Sequence, residues 1–163
     1  MSEDGKRLLI AWHSRTGASR AMARAGAEGA GEAARLLRAG EVMPEDILAA
    51  SAYLFVCPEN LASMSGEMKE MFDRCYYPVL GRIEGRPYAT LIAAGSDGEG
   101  AQRQIDRIAT GWRLRRVADP VILCFDAQTP EAIMAEKTVS AERLSRCREL
   151  GAALAEGLAL GVF

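Results

Sequence analysis

The sequence predicts an α/β fold, a three-layer sandwich in which a five-stranded parallel sheet carries helices on both faces. Two observations predict it. Short apolar runs alternate with segments of helical composition along the chain, and strands joined in that way need crossover connections, which give parallel pairing. The runs Leu8–Trp12, Ala52–Cys57 and Tyr88–Ala94 are also apolar almost throughout, as expected of strands covered on both faces. A third observation bears on function: these three runs each stop at a polar or glycine-containing loop, at 13–19, 58–66 and 95–100.

Taken in order, Leu8–Trp12 is the first strand and residues 17–30 the first helix, whose end Gly26 and Gly29 should weaken. Glu32–Arg38 is a poor strand by propensity and is placed as the second by its position in the alternation. Pro44–Ala50 reads as a short helix, with Pro44 suited to the first helical position and Glu45 and Asp46 to the positive end of the dipole. Ala52–Cys57 is the third strand, which Pro58 should end. Residues 64–77 form an amphipathic helix, because Met64, Met68, Met71, Phe72 and Cys75 recur on one face. Tyr88–Ala94 is the fourth strand, residues 101–110 a helix that Gly111 stops, and Val121–Phe125 the fifth strand, with Pro120 at its start or at a kink. Pro130–Lys137 is a short helix, and Ser140 caps a closing one with Leu144, Cys147, Leu150, Leu154 and Leu158 near one face.

Composition bounds the function classes. At 163 residues the chain is expected to be one domain, residues 1–163, with room for a core. A net charge of −2 offers no field toward nucleic acid or an anionic membrane, and no apolar run approaches the roughly 20 residues of a spanning helix. The polar N-terminus MSEDGKR lacks the apolar core of a signal peptide. Cys57, Cys75, Cys124 and Cys147 show no zinc spacing, and the chain has one histidine. No metal site is expected, and the thiols read as free thiols of a cytoplasmic protein.

The loop after the first strand holds Ser14, Arg15, Thr16, Gly17, Ala18 and Ser19 and runs straight into a helix. Unpaired N–H groups at a helix N-terminus, together with the helix dipole, attract an anion. Ser14, Thr16 and Ser19 add hydroxyl donors, and Gly17 lets the backbone approach a phosphate. The alternative is an ordinary helix cap and turn. In a sheet of order 2-1-3-4-5, strands one, three and four lie side by side, so their loops converge on one rim where ligands of such sheets bind.

The run Ser14-Arg15-Thr16-Gly17-Ala18-Ser19 resembles the phosphate loop of flavodoxins and flavodoxin-like FMN reductases. Pro58-Glu59-Asn60-Leu61-Ala62-Ser63-Met64-Ser65-Gly66-Glu67-Met68-Lys69, continuing to Phe72-Asp73, is similar to the second flavin loop and helix of NAD(P)H-dependent quinone and FMN reductases, and Gly95-Ser96-Asp97-Gly98-Glu99-Gly100 to their third flavin loop. The resemblance covers residues 6–125 in the right order. It implies a flavodoxin-like fold and FMN as cofactor, with the phosphate in loop 13–19 and the ring between loops 58–65 and 95–100. The implied cofactor-binding residues are Ser14, Arg15, Thr16, Gly17, Ala18, Ser19, Pro58, Glu59, Asn60, Leu61, Ser63, Met64, Gly95, Ser96, Asp97 and Gly98. The implied activity is hydride transfer from NAD(P)H to a quinone or similar small acceptor, with no catalytic side chain required, in a possible homodimer or homotetramer. Leu61 stands where the family usually has a larger side chain near the ring, and the third loop has no Tyr or Trp. Two other readings of the same fold are a flavodoxin-type electron carrier and a flavin-free binding module. A response-regulator receiver is excluded, because Trp12-His13-Ser14 and Cys57-Pro58-Glu59 lack its acidic residues.

Overall fold

A computed structural model describes residues 5–163; the reading of the N-terminus as lacking a signal rests in part on residues 1–4, outside the described residues. The described residues form β1 (Leu8–Trp12), α1 (Ala18–Ala30), β2 (Ala34–Arg38), α2 (Pro44–Ala49), β3 (Ala52–Asn60), β4 (Ser63–Met64), α3 (Gly66–Val79), β5 (Pro87–Ala94), α4 (Glu99–Gly111), β6 (Arg115–Arg116), β7 (Val121–Cys124), α5 (Pro130–Met134) and α6 (Ala141–Leu160). The sheet runs β2-β1-β3-β5, and β6 and β7 share the far edge of β5, all in parallel. Counting β6 and β7 as one interrupted strand gives the order 2-1-3-4-5. The interruption holds Pro120, which has no N–H for a ladder.

Alternation along each strand divides the core into two layers. Leu8, Ile10, Leu54, Val56, Ala89 and Leu91 point to the face covered by α1 and α6. Leu9, Ala11, Phe55, Cys57, Tyr88 and Ile92 point to the face covered by α3 and α4, where Met68, Met71, Phe72 and Trp112 meet them. The Phe55 and Phe72 rings pack edge-on with centroids 5.1 Å apart, a geometry that adds to their burial.

Several local expectations are corrected. Helix α1 runs to Ala30 through Gly26 and Gly29, and the two glycines let α6 approach, since a Cβ on Gly29 would collide with the Arg148 carbonyl and one on Gly151 with the Gly26 backbone. Pro58 does not end β3. It pairs with Ala93 of β5, and β1 stops at Trp12 opposite Val56, so no acceptor waits where the missing N–H would point. Residues 59–64 are therefore a hairpin rather than an open loop. Helix α3 runs through Pro78 to Val79, α4 starts at Glu99, and α5 stops at Met134 rather than Lys137.

Candidate cofactor site

The carboxyl ends of β1, β3 and β5 meet at one rim and enclose a cavity of about 280 Å³. Its first wall is the loop after β1. Gly17 takes a left-handed conformation (φ 98°) and starts α1, and its N–H donates to Ser14 Oγ at 3.1 Å. No side chain caps α1, and Thr16, Ala18 and Ser19 at its start line the cavity. Ser19 is 1% exposed, and its Oγ is the buried side-chain polar atom that has no partner among the described residues. A buried hydroxyl without a partner is costly, and an oxyanion in the cavity would satisfy it.

The second wall is the β3–β4 hairpin. Its two-residue tip, Leu61 and Ala62, has positive φ (52° and 61°), a conformation that two-residue hairpins normally assign to Asn or Gly. The hairpin is held from outside. Both carboxylate oxygens of Glu59 accept backbone N–H groups at the start of α4, from Gly98 at 2.9 Å and Ala101 at 3.1 Å. Gln104 Oε1 accepts from Ser63 Oγ at 2.9 Å and from the Met64 N–H at 2.8 Å. Gly100 lets α4 approach, because a Cβ there would collide with the Ala62 carbonyl.

The third wall is Gly95–Ser96, tied by its Gly95 carbonyl to the Ala127 N–H at 3.2 Å. Of the residues implied by resemblance, Ser14, Arg15, Thr16, Ala18, Ser19, Pro58, Glu59, Asn60, Leu61, Gly95 and Ser96 line the cavity. Gly17, Ser63, Met64, Asp97 and Gly98 do not. Gly17 and Gly98 shape the backbone at two helix starts, Ser63 is engaged with Gln104, and Met64 belongs to the core. Asp97 is exposed, with its Oδ1 accepting from the Glu99 N–H at 3.4 Å.

Sequence reasoning missed a fourth wall, the segment between β7 and α6, which contributes Phe125, Ala127, Ile133 and Lys137. The Lys137 N–H donates to the Thr16 carbonyl at 2.8 Å, and its ammonium donates to the Ala132, Ile133 and Ala135 carbonyls. That strap supplies the aromatic ring absent from the other loops. The marks it leaves in the sequence are Phe125, which the structure places just beyond β7 rather than within the strand, and the apolar pair Ile133–Met134 in a polar segment.

His13 stands outside the cavity lining. Its Nδ1 is 2.8 Å from Ser65 Oγ and its Nε2 3.5 Å from Glu67. Burial pushes its pKa below 6.5, and Glu67 only partly opposes this, so the ring is neutral at pH 7. The Cys57 thiol is pushed up to about 12 by complete burial and is inert. All four cysteines are free. Among the described residues no cluster of His, Cys, Asp and Glu could hold a metal, and no helix is long and apolar enough to cross a membrane.

A doubly wound sheet with three loops gathered over strands one, three and four, an open helix start and an apolar slot beside it defines a flavodoxin-like protein. Comparison with known proteins narrows this. A family model described as NADPH-dependent FMN reductase matches residues 40–123, and the chain belongs to that family. It is 31% identical over 165 residues to a flavodoxin from Aquifex aeolicus (strain VF5), covering 96% of this chain and 89% of the relative. Among solved structures it superposes on a flavodoxin from the domain Archaea with a TM-score of 0.77 at 17% identity, covering 94% of this chain and 99% of that one. A WrbA-like flavodoxin from Agrobacterium tumefaciens gives 0.68 at 17%, covering 96% and 99%; at such identities the likeness speaks for the fold alone. The protein is thus a flavin-binding oxidoreductase of flavodoxin-like fold, with FMN as its cofactor. The cavity fits that group on its own features: an unpartnered buried hydroxyl at an uncapped helix start, and a slot walled by Leu61, Ala94 and Phe125.

Proposed function

We propose that the chain is an NAD(P)H-dependent FMN oxidoreductase whose acceptor is a quinone or similar small molecule. The observation that carries the reading is the unpartnered Ser19 hydroxyl beside the uncapped start of α1. The first loop would hold the phosphate: Ser19 and Thr16 donate hydroxyls, the α1 amides donate N–H groups, and the dipole favours the charge. Asn60, Leu61, Gly95, Ser96 and Phe125 would hold the ring, with the hairpin and the strap excluding water from its two sides. When bound there, FMN would supply the redox chemistry of hydride transfer between NAD(P)H and the acceptor. The side chains orient and desolvate, and none needs to move a proton. Four free thiols suit a reducing, cytoplasmic setting.

A second reading, an electron carrier without turnover of its own, is favoured by the similarity to a flavodoxin over 96% of the chain. Mixing FMN-loaded protein with NADPH and a quinone separates them. Multiple-turnover NADPH oxidation supports the enzyme, and bleaching of the flavin only by a reductase partner supports the carrier. Failure of the apoprotein to take up added FMN, read from its visible spectrum, refutes both.

A further inference from the structure

Among the described residues three α-helices start from a Ser or Thr, and one of the three does not use it as a cap. Thr129 Oγ1 accepts the Ala132 N–H at the start of α5, and Ser140 Oγ the Arg143 N–H at the start of α6. Ser65 stands at the start of α3 with backbone angles close to those of Ser140 (φ −57°, ψ 149° against φ −62°, ψ 154°), yet its hydroxyl caps nothing. Fully buried, it bonds instead to His13 Nδ1 at 2.8 Å, from 52 positions further along the chain. The neutral imidazole carries one ring proton. The Glu67 carboxylate, 3.5 Å from Nε2, draws it there, which leaves Nδ1 to accept the Ser65 O–H.

Each end of this bond is the root of a cavity wall. The His13 N–H donates to the Val56 carbonyl at 3.0 Å, and the next residue, Ser14, holds the Gly17 N–H. The Ser65 N–H donates to the Pro58 carbonyl at 3.2 Å, at the base of the hairpin, and the Ser65 carbonyl accepts the Lys69 N–H of α3 at 3.0 Å. Ser14 and Pro58 line the cavity, whereas His13 and Ser65 lie behind it. We propose that His13 is a positioning residue for the phosphate of FMN: through Ser65 it sets loop 14–17 against the hairpin, so that phosphate and ring are met at a fixed spacing. The proposal rests on the reading of the cavity as the FMN site. A hydroxyl placed for a helix cap and diverted to an imidazole gives up the stabilisation of the cap. The chain gains a fixed relation between two walls that one ligand must touch at once, and such preorganisation strengthens binding without a contact to the ligand. The effect falls on a ligand that spans both walls and spares one that fills only the ring slot.

Titration of the apoprotein with FMN and with riboflavin, which lacks the phosphate, tests this by flavin fluorescence quenching. His13→Leu should lower the ratio of FMN to riboflavin affinity about fivefold or more, with riboflavin affinity held within about twofold. Ser65→Ala should give the same loss, and the double variant no more than either alone, since both changes remove one bond. Ser65→Ala also carries the test should His13→Leu fail to fold. His13→Asn, whose side-chain oxygen can take the Ser65 O–H in place of Nδ1, should keep the wild-type ratio. An unchanged ratio in His13→Leu or Ser65→Ala, riboflavin lost as steeply as FMN, additive losses in the double variant, or no rescue by His13→Asn overturns the proposal. Where the wild type prefers FMN to riboflavin, those outcomes sink only the role of His13. A wild type that takes up neither flavin, or both equally, sinks the phosphate reading of the cavity and the proposal with it.

Discussion

Helices α1 and α4 begin alike and are finished differently. Each follows a buried strand at the same rim, and each starts from a glycine in the left-handed conformation, Gly17 at φ 98° and Gly98 at φ 91°. At α4 a carboxylate of the chain itself, Glu59, occupies the amide groups. At α1 only the neutral Ser14 hydroxyl takes the Gly17 N–H, no carboxylate is present, and Ser19 beside it is left without a partner. The protein thus contains its own demonstration of what an anion does at such a start: Glu59 pins the hairpin to α4. The start left open is the one placed to take its anion from outside, and a bound phosphate would tie loop 13–19 to α1 as Glu59 ties the hairpin to α4.

The comparison can be broken at several points. The largest effect is expected from Thr16→Asp, which fills the open start with a fixed charge. FMN affinity, read by flavin fluorescence quenching, should fall about 100-fold or more, and unchanged affinity would remove the phosphate from this loop. Next comes Glu59→Ala, which makes α4 resemble α1. It should cost about 2 kcal/mol in urea unfolding, with a cap and two charge-assisted hydrogen bonds lost, and a shift in midpoint near zero would show the clamp to be idle. Ser19→Ala sharpens the contrast through opposite signs. The apoprotein should be unchanged or more stable by up to about 1 kcal/mol, because an unsatisfied hydroxyl disappears, while FMN binding weakens about tenfold; a fall in apoprotein stability would mean that Ser19 has a protein partner. The smallest effect concerns pH. His13 has its pKa lowered below 6.5 by the fold, so the unfolded chain takes up the proton first as pH falls. Its contribution to stability is intact above about pH 6.5 and declines below that value until the folded pKa is reached. His13→Asn should flatten this part of the stability profile, and an unaltered slope would acquit the residue.

The sheet order was legible because strands buried on both faces advertise themselves: LLIAW, AYLFVC and YATLIAA need no context. ARLLR of β2 was placed only by position, and the structure explains why propensity was silent there, since it is an edge strand with Arg35, Leu36 and Arg38 exposed. The first loop was legible because hydroxyl, glycine and helix stand adjacent in sequence. The hairpin was not. Pro58 reads as a stop, and that it lies beyond the end of β1 is a fact of register rather than of residue type. Nor did Leu61-Ala62 look like a two-residue turn, because Glu59, Gln104 and Gly100, which hold it, are up to forty-odd residues apart in the chain. The strap was faint for the same reason, marked only by Phe125 and the Ile133–Met134 pair. Its link to the phosphate loop is one backbone hydrogen bond between Lys137 and Thr16, and backbone bonds leave no mark on composition.

The interrupted margin of the sheet bears on how this molecule behaves at high concentration. An uninterrupted outer strand is a template on which a second chain can add, copy after copy, into a fibril. Here that margin is split into β6 and β7 by a stretch holding Pro120, and both residues of β6 are exposed arginines. The opposite margin, β2, is also studded with guanidinium charge. Edge-to-edge addition of copies is thereby discouraged on either flank, and replacement of Pro120 together with Arg115 and Arg116 by valine should raise light scattering on standing relative to the unaltered chain.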